Sequence, residues 1–191
     1  MTVTDVNVVK SAIFERPDDA NKGTLGSLLC VCGSYGMAGA AVMSAKGALR
    51  TGIGLAKCAL PRSIYPIVAQ TILESVYYPL SENADGRISK VNVPFLVSES
   101  CKSSATLVGC GLGVCDDTLK IVFSLIENST TPLVLDADAL NCVAKQPEIL
   151  LRKKAPIIIT PHPGEMSRLT GLATPLVNAE RERVALDFVQ K

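Results

Sequence analysis

Leu25-Gly26-Ser27-Leu28-Leu29-Cys30-Val31-Cys32-Gly33-Ser34-Tyr35-Gly36-Met37-Ala38-Gly39-Ala40-Ala41 is the stretch on which the reading of the fold turns. The apolar run Leu25–Cys32 reads as a buried strand, ended by Gly33-Ser34. A helix rich in alanine follows over Ala38–Arg50, with Gly39, Ala40, Ser44 and Gly47 keeping one side small. A strand, a glycine loop and a helix in that order make a βα unit. Glycines let the backbone approach a ligand, and the helix start offers free N–H groups suited to phosphate. A tight turn with close helix packing would use the same residues. No Gly-Lys-Ser/Thr follows, so the loop is not a P-loop.

The alternation continues outward from this unit. Strands are predicted at Gly54–Leu60, Glu74–Tyr78, Ala105–Val108, Pro132–Leu135 and Pro156–Ile159. Helices are predicted at Arg62–Ala69, Val93–Ser100, Thr118–Glu127, Pro147–Arg152 and Glu165–Thr170, with a further one opened by Asp136-Ala137-Asp138. A last helix is predicted over Val177–Gln190, with Val177, Val184, Phe188 and Val189 on one face. Residues 1–24 read as a polar lead-in arm. Such alternation predicts an α/β protein with a mainly parallel sheet covered on both faces. The uncovered apolar face of the last helix predicts a domain incomplete on its C-terminal side.

Composition narrows the function. The chain has 191 residues, 48% hydrophobic and only 4% aromatic, so small aliphatic side chains supply the core. Nineteen Lys and Arg stand against 18 Asp and Glu, with no basic block, which argues against nucleic-acid binding. Seven cysteines without a Cys-x-x-Cys, and His162 as the single histidine, argue against a zinc site. The odd count and the acids near the N-terminus predict a reducing, cytoplasmic setting with no secretory signal and no membrane span.

Three more loops follow predicted strands. Gly109-Cys110-Gly111-Leu112-Gly113 is a loose Gly-x-Gly loop, which also admits a Rossmann dehydrogenase. Leu135-Asp136-Ala137-Asp138-Ala139-Leu140-Asn141 sets two acids at a strand end. Asp138 reads as a helix N-cap, and Asp136 as a residue facing a ligand or a magnesium-bound phosphate. Thr160-Pro161-His162-Pro163-Gly164-Glu165 fixes the lone histidine between two prolines. All four loops fall on the carboxyl edge of one sheet.

These motifs, together with Lys22-Gly23-Thr24-Leu25-Gly26 and Ala48-Leu49-Arg50-Thr51-Gly52-Ile53-Gly54-Leu55, resemble the ADP/ATP-dependent NAD(P)H-hydrate dehydratases over residues 14 to 190. The resemblance implies a ribokinase-like three-layer α/β/α fold. It implies repair of hydrated NADH and NADPH: ADP or ATP phosphorylates the ring hydroxyl with magnesium assisting, and phosphate then leaves. It also implies a homotetramer. Ala40 or Ala41, with Gly111 and Gly113, would contact the hydrate. His162, Pro163, Gly164 and Glu165 would line the dihydronicotinamide pocket. Asp136 and Asn141 would support the phosphates. Cys110 stands where proline is usual.

Family members continue with a lysine-glycine segment and a Gly-Ser-Gly-Asp stretch whose aspartate is the base. Neither motif occurs here. The expectation is therefore a single incomplete domain, 1–191, without its catalytic residues and without turnover of its own. Two other readings stay open: a ribokinase-like vitamin or sugar kinase, and a non-catalytic nucleotide-binding subunit.

Overall fold

The computed structural model describes Asp18, Ala20 and residues 23–190. Most of the lead-in arm, with Lys22 and Lys191, lies outside the described residues.

Six strands form one sheet: β1 Ser27–Val31, β2 Leu55–Pro61, β3 Val76–Leu80, β4 Ala105–Val108, β5 Leu133–Leu135 and β6 Ile157–Ile159. Their order is β3-β2-β1-β4-β5-β6, and every pairing is parallel. Sequence order reverses between β1 and β4. That reversal opens a crevice at the carboxyl ends of those two strands, where sheets of this kind bind ligands.

Helices cover both faces. They are α1 Ala38–Arg50, α2 Tyr65–Thr71, α3 Val93–Cys101, α4 Asp116–Asn128, α5 Asp138–Val143, α6 Pro163–Thr170, α7 Thr174–Ala179 and α8 Arg181–Val189. Arg62–Ile64, Lys90–Asn92 and Pro147–Arg152 form 3-10 turns. Alternation along β1 decides which core each side chain enters. Cys30 and Cys32 join Ala41 and Ala45 of α1 and Val68 of α2 on one face. Leu29 and Val31 join Leu96, Ile121, Leu125 and Leu140 on the other. The small residues of α1 let that helix sit close to the sheet, as its sequence predicts.

Helix ends follow local chemistry. Cys115 and Thr118 form a reciprocal cap at the start of α4, Thr118 Oγ1 accepting the Cys115 N–H at 2.9 Å. His162 and Glu165 do the same for α6, and Pro163 at its first position supplies a fixed φ. Gly171, at φ 75°, ends α6 in a left-handed turn.

Two expectations are corrected. The helix expected over Val177–Gln190 is two helices, because Glu180 (φ −131°, ψ 39°) leaves helical geometry and Pro175 opens α7 early. Val177 and Val184 enter the core, whereas Val189 is 80% exposed and shares no buried face with them. The N-cap of α5 is Ala137, in a positive-φ conformation, which makes Asp138 the first helical residue rather than the cap.

Candidate functional site

The loops after β1 and β4 meet at the crevice. Gly33 N–H donates to the Cys110 carbonyl at 2.9 Å. The buried Ser34 hydroxyl donates to the Gly111 carbonyl at 2.8 Å. Gly111 faces Ala40 so closely that a Cβ on it would stand 2.7 Å from the Ala40 Cβ. Ala40 keeps part of its surface at the crevice. Ala41, 2% exposed, points into the core beneath Gly33 and has no surface to offer a ligand.

Asp136 ties three loops together. Its Oδ2 accepts from the Cys110 thiol at 3.3 Å, and its Oδ1 accepts from the Thr160 hydroxyl at 2.8 Å. The carboxylate thus bridges the ends of β4, β5 and β6. Asp138 turns the other way: its Oδ2 accepts the Gly113 N–H at 2.8 Å, and its Oδ1 accepts from Asn141 at 3.3 Å. Asn141 in turn accepts from Arg168 Nε at 2.8 Å. Gly109, at φ 123°, allows this closeness, since a Cβ there would overlap the Asp136 carbonyl.

His162 is exposed at the start of α6, and its Nδ1 accepts the Gly164 N–H at 3.0 Å. That bond assigns the proton to Nε2, which faces Glu165 Oε1 at 3.3 Å. Glu165 is 6% exposed, and its Oε2 accepts the His162 N–H at 2.8 Å. Its carboxylate therefore holds the loop, and His162 with Pro161 and Pro163 presents the loop's surface. Among the described residues, no three His, Cys, Asp or Glu side chains gather as a metal site. Asp136 is a single carboxylate at this edge, and each of its oxygens also accepts one hydrogen bond.

Arg87 was not singled out from sequence. Its side chain lies over Gly113, where a Cβ would collide with it, and its guanidinium pairs with Asp85 at 3.1 Å. The adjacent Asp85-Gly86 turn was the available signal. Gly86 accepts the Tyr35 N–H at 2.9 Å, so this loop touches both glycine loops. Thr160 gave no signal beyond its place in a strand-end loop.

The arrangement defines a class: a doubly wound, all-parallel α/β protein with a crevice built from strand-end loops at its switch point. Residues 28–191 match the model of the Carb_kinase family, described as NAD(P)H-hydrate dehydratase. The chain belongs to that family. A bifunctional NAD(P)H-hydrate repair enzyme Nnr from Thermofilum pendens is 37% identical over 176 residues, 92% of this chain and 34% of that protein. The ADP-dependent (S)-NAD(P)H-hydrate dehydratase of Neisseria meningitidis is 32% identical over 87% of this chain and 53% of its own length. The chain therefore spans about a third to a half of these relatives.

Solved structures agree on the fold. An ADP/ATP-dependent NAD(P)H-hydrate dehydratase from Bacillus subtilis, co-crystallized with ATP/Mg2+, superposes with a TM-score of 0.73 at 27% identity. That match covers 93% of this chain and 58% of that one. A Streptococcus mutans protein reaches a TM-score of 0.82 over 99% of this chain and 64% of its own, and at 24% identity it speaks to the fold alone. The fold is thus the ribokinase-like one expected from sequence, with an all-parallel six-stranded sheet among the described residues. No described helix is long and apolar enough to cross a membrane.

Proposed function

We propose that this chain supplies the hydrate-binding side of an ADP- or ATP-dependent NAD(P)H-hydrate dehydratase. The observation that carries the reading is the contact between Ala40 and Gly111 at the switch point, with Asp136 and His162 on the same sheet edge. In this reading the hydrated dihydronicotinamide lies on the backbone surface of Ala40 and Gly111. Gly113 and Pro163-Gly164 shape its margins. His162 lays its exposed imidazole against the ring. Glu165 acts by positioning His162, and Asp136 and Asn141 act by positioning the loops, Asn141 through Arg168. Arg87, over Gly113, and Arg168, bonded to Asn141, are cations beside these loops that could meet substrate phosphates.

The phosphoryl donor is ADP or ATP, as in the relatives' names. Magnesium, present with ATP in the Bacillus subtilis crystal, would accompany the donor phosphates. Residues 1–191 contribute to one domain of a homo-oligomeric cytoplasmic enzyme, a tetramer in this reading. Its partners are small molecules rather than nucleic acid or membrane.

Calorimetry on the purified chain tests the reading with four ligands: hydrated NADH, NADH, a thiazole alcohol and pyridoxine. The expected result is saturable binding of the hydrate, at least about tenfold tighter than either vitamin alcohol. Preference for a vitamin alcohol would move the chain to the kinases that share this fold. Absence of hydrate binding would remove the proposal.

A further inference from the structure

Five of the seven cysteines do not touch the proposed site, but Cys32 and Cys110 lie at its floor. Cys32 directly follows β1, and Cys110 lies two residues beyond β4. These strands are parallel neighbours, with Val31 paired to Val108. Past the strand ends the register shifts by one residue: Gly109 N–H donates to the Val31 carbonyl and Gly33 N–H to the Cys110 carbonyl, which sets Cys110 across from Cys32. Cys110 packs against the cluster that contains Cys32 and Ala41. Neighbouring strands run about 4.8 Å apart, inside the roughly 4.4–6.8 Å that Cα atoms span in a disulfide.

The two thiols are unequal. Cys32 is 1% exposed, whereas Cys110 is half-buried and opens toward the crevice. The Cys32 thiol, acting as donor, holds the Cys110 thiol below the usual cysteine range, and the Ser44 hydroxyl adds to this. Burial and the Asp136 carboxylate oppose it. Cys32 is pushed up by the same contact and by burial. One accessible, acidified thiol beside a buried one is the pattern of an attacking and a resolving cysteine.

We propose that Cys110 and Cys32 form a thiol-modification site at the crevice floor, with low-molecular-weight disulfides as its reagent. The Cys110 thiolate attacks one sulfur of the reagent, whose S–S bond breaks and releases one thiol. Cys32 then gives up its proton and attacks the Cys110 sulfur, releasing the second thiol. The protein loses two protons and two electrons in total, and the reagent becomes two thiols. The product is a Cys32–Cys110 disulfide. Cys110 can then no longer donate to Asp136, and the two glycine loops are cross-linked beneath Ala40 and Gly111.

The test is a glutathione disulfide titration of the whole purified chain, with alkylation of free thiols and peptide mapping by mass spectrometry. Cys110 should react at least about tenfold faster than the half-buried Cys101, which has no thiol neighbour. A Cys32–Cys110 cross-link should accumulate in the wild type. Cys32→Ser should stop at glutathione on Cys110. Equal reactivity of Cys110 and Cys101 would overturn the proposal, as would a cross-link through Cys30 or a persistent glutathione adduct in the wild type. The wild-type mapping suffices if the variant fails to fold, and it reads the thiols whether or not the hydrate binds.

Discussion

At Gly109 the backbone runs at φ 123°, and a side chain would enter the space of the Asp136 carbonyl and of Ala139. Backbone atoms cannot move aside as a flexible side chain can. Gly109→Ala should therefore lose at least about 3 kcal/mol in urea denaturation, as strain and collision combine. A loss under 1 kcal/mol would mean that the loop between β4 and α4 rearranges freely. Gly47 is the control: it sits exposed in α1 with nothing near its missing Cβ. Gly47→Ala should gain about 1 kcal/mol from helix propensity alone. The sequence marked Gly109-Cys110-Gly111 as a glycine loop but could not rank its glycines. The ranking depends on Asp136, which lies distant in sequence. For the same reason Ala40 and Ala41 looked equivalent until one faced Gly111 and the other the core.

Elements show the same division between near and far. Helix α6 was legible because its cap is local: Glu165 reaches back three residues to the His162 N–H. Glu165→Ala should cost about 1–2 kcal/mol and release His162. Urea denaturation checks this; an unchanged midpoint would mean that Glu165 does not hold the helix start. The break at Glu180 was not legible, since glutamate favours helix and only packing of Val177 and Val184 demands the turn. Polar links between elements were hidden too. Ser100 Oγ lies 2.9 Å from Thr106 Oγ1 and 2.7 Å from Ser129 Oγ, all three buried, joining α3, β4 and the end of α4. Ser100→Ala strips the buried Thr106 hydroxyl of its partner, while Ser129 keeps the Thr131 carbonyl, and should cost about 1–3 kcal/mol.

Asp117 gives α4 a pH dependence. The Asn83 amide and the Lys90 N–H hold its carboxylate below the usual range. A lowered carboxylate stabilises the fold above its unfolded pKa, and that contribution fades as pH falls through the folded value. Asp117→Asn should therefore lower the denaturation midpoint more at pH 7 than at pH 3. Equal losses at both pH values would show that its charge contributes nothing.

Across the whole molecule, the parallel sheet and the four strand-end loops were readable from one alternation of strands and helices. Which loops meet was not, because order in the sheet departs from order in the chain at β1 and β4. The far edge differs from this crevice. On the face covered by α1 and α2, Ile158 of β6 is 59% exposed; on the opposite face, Leu150, Leu169, Val184 and Phe188 line a cavity of about 420 Å³ beside α8. A hydrate bound there would contradict the assignment of the site. The central claim is thus positional, and crystallography of the chain soaked with hydrated NADH tests it most directly. The account predicts density for the dihydronicotinamide ring against Ala40, Gly111 and His162. Density for that ring in the cavity around Phe188, with the switch-point crevice empty, would contradict it.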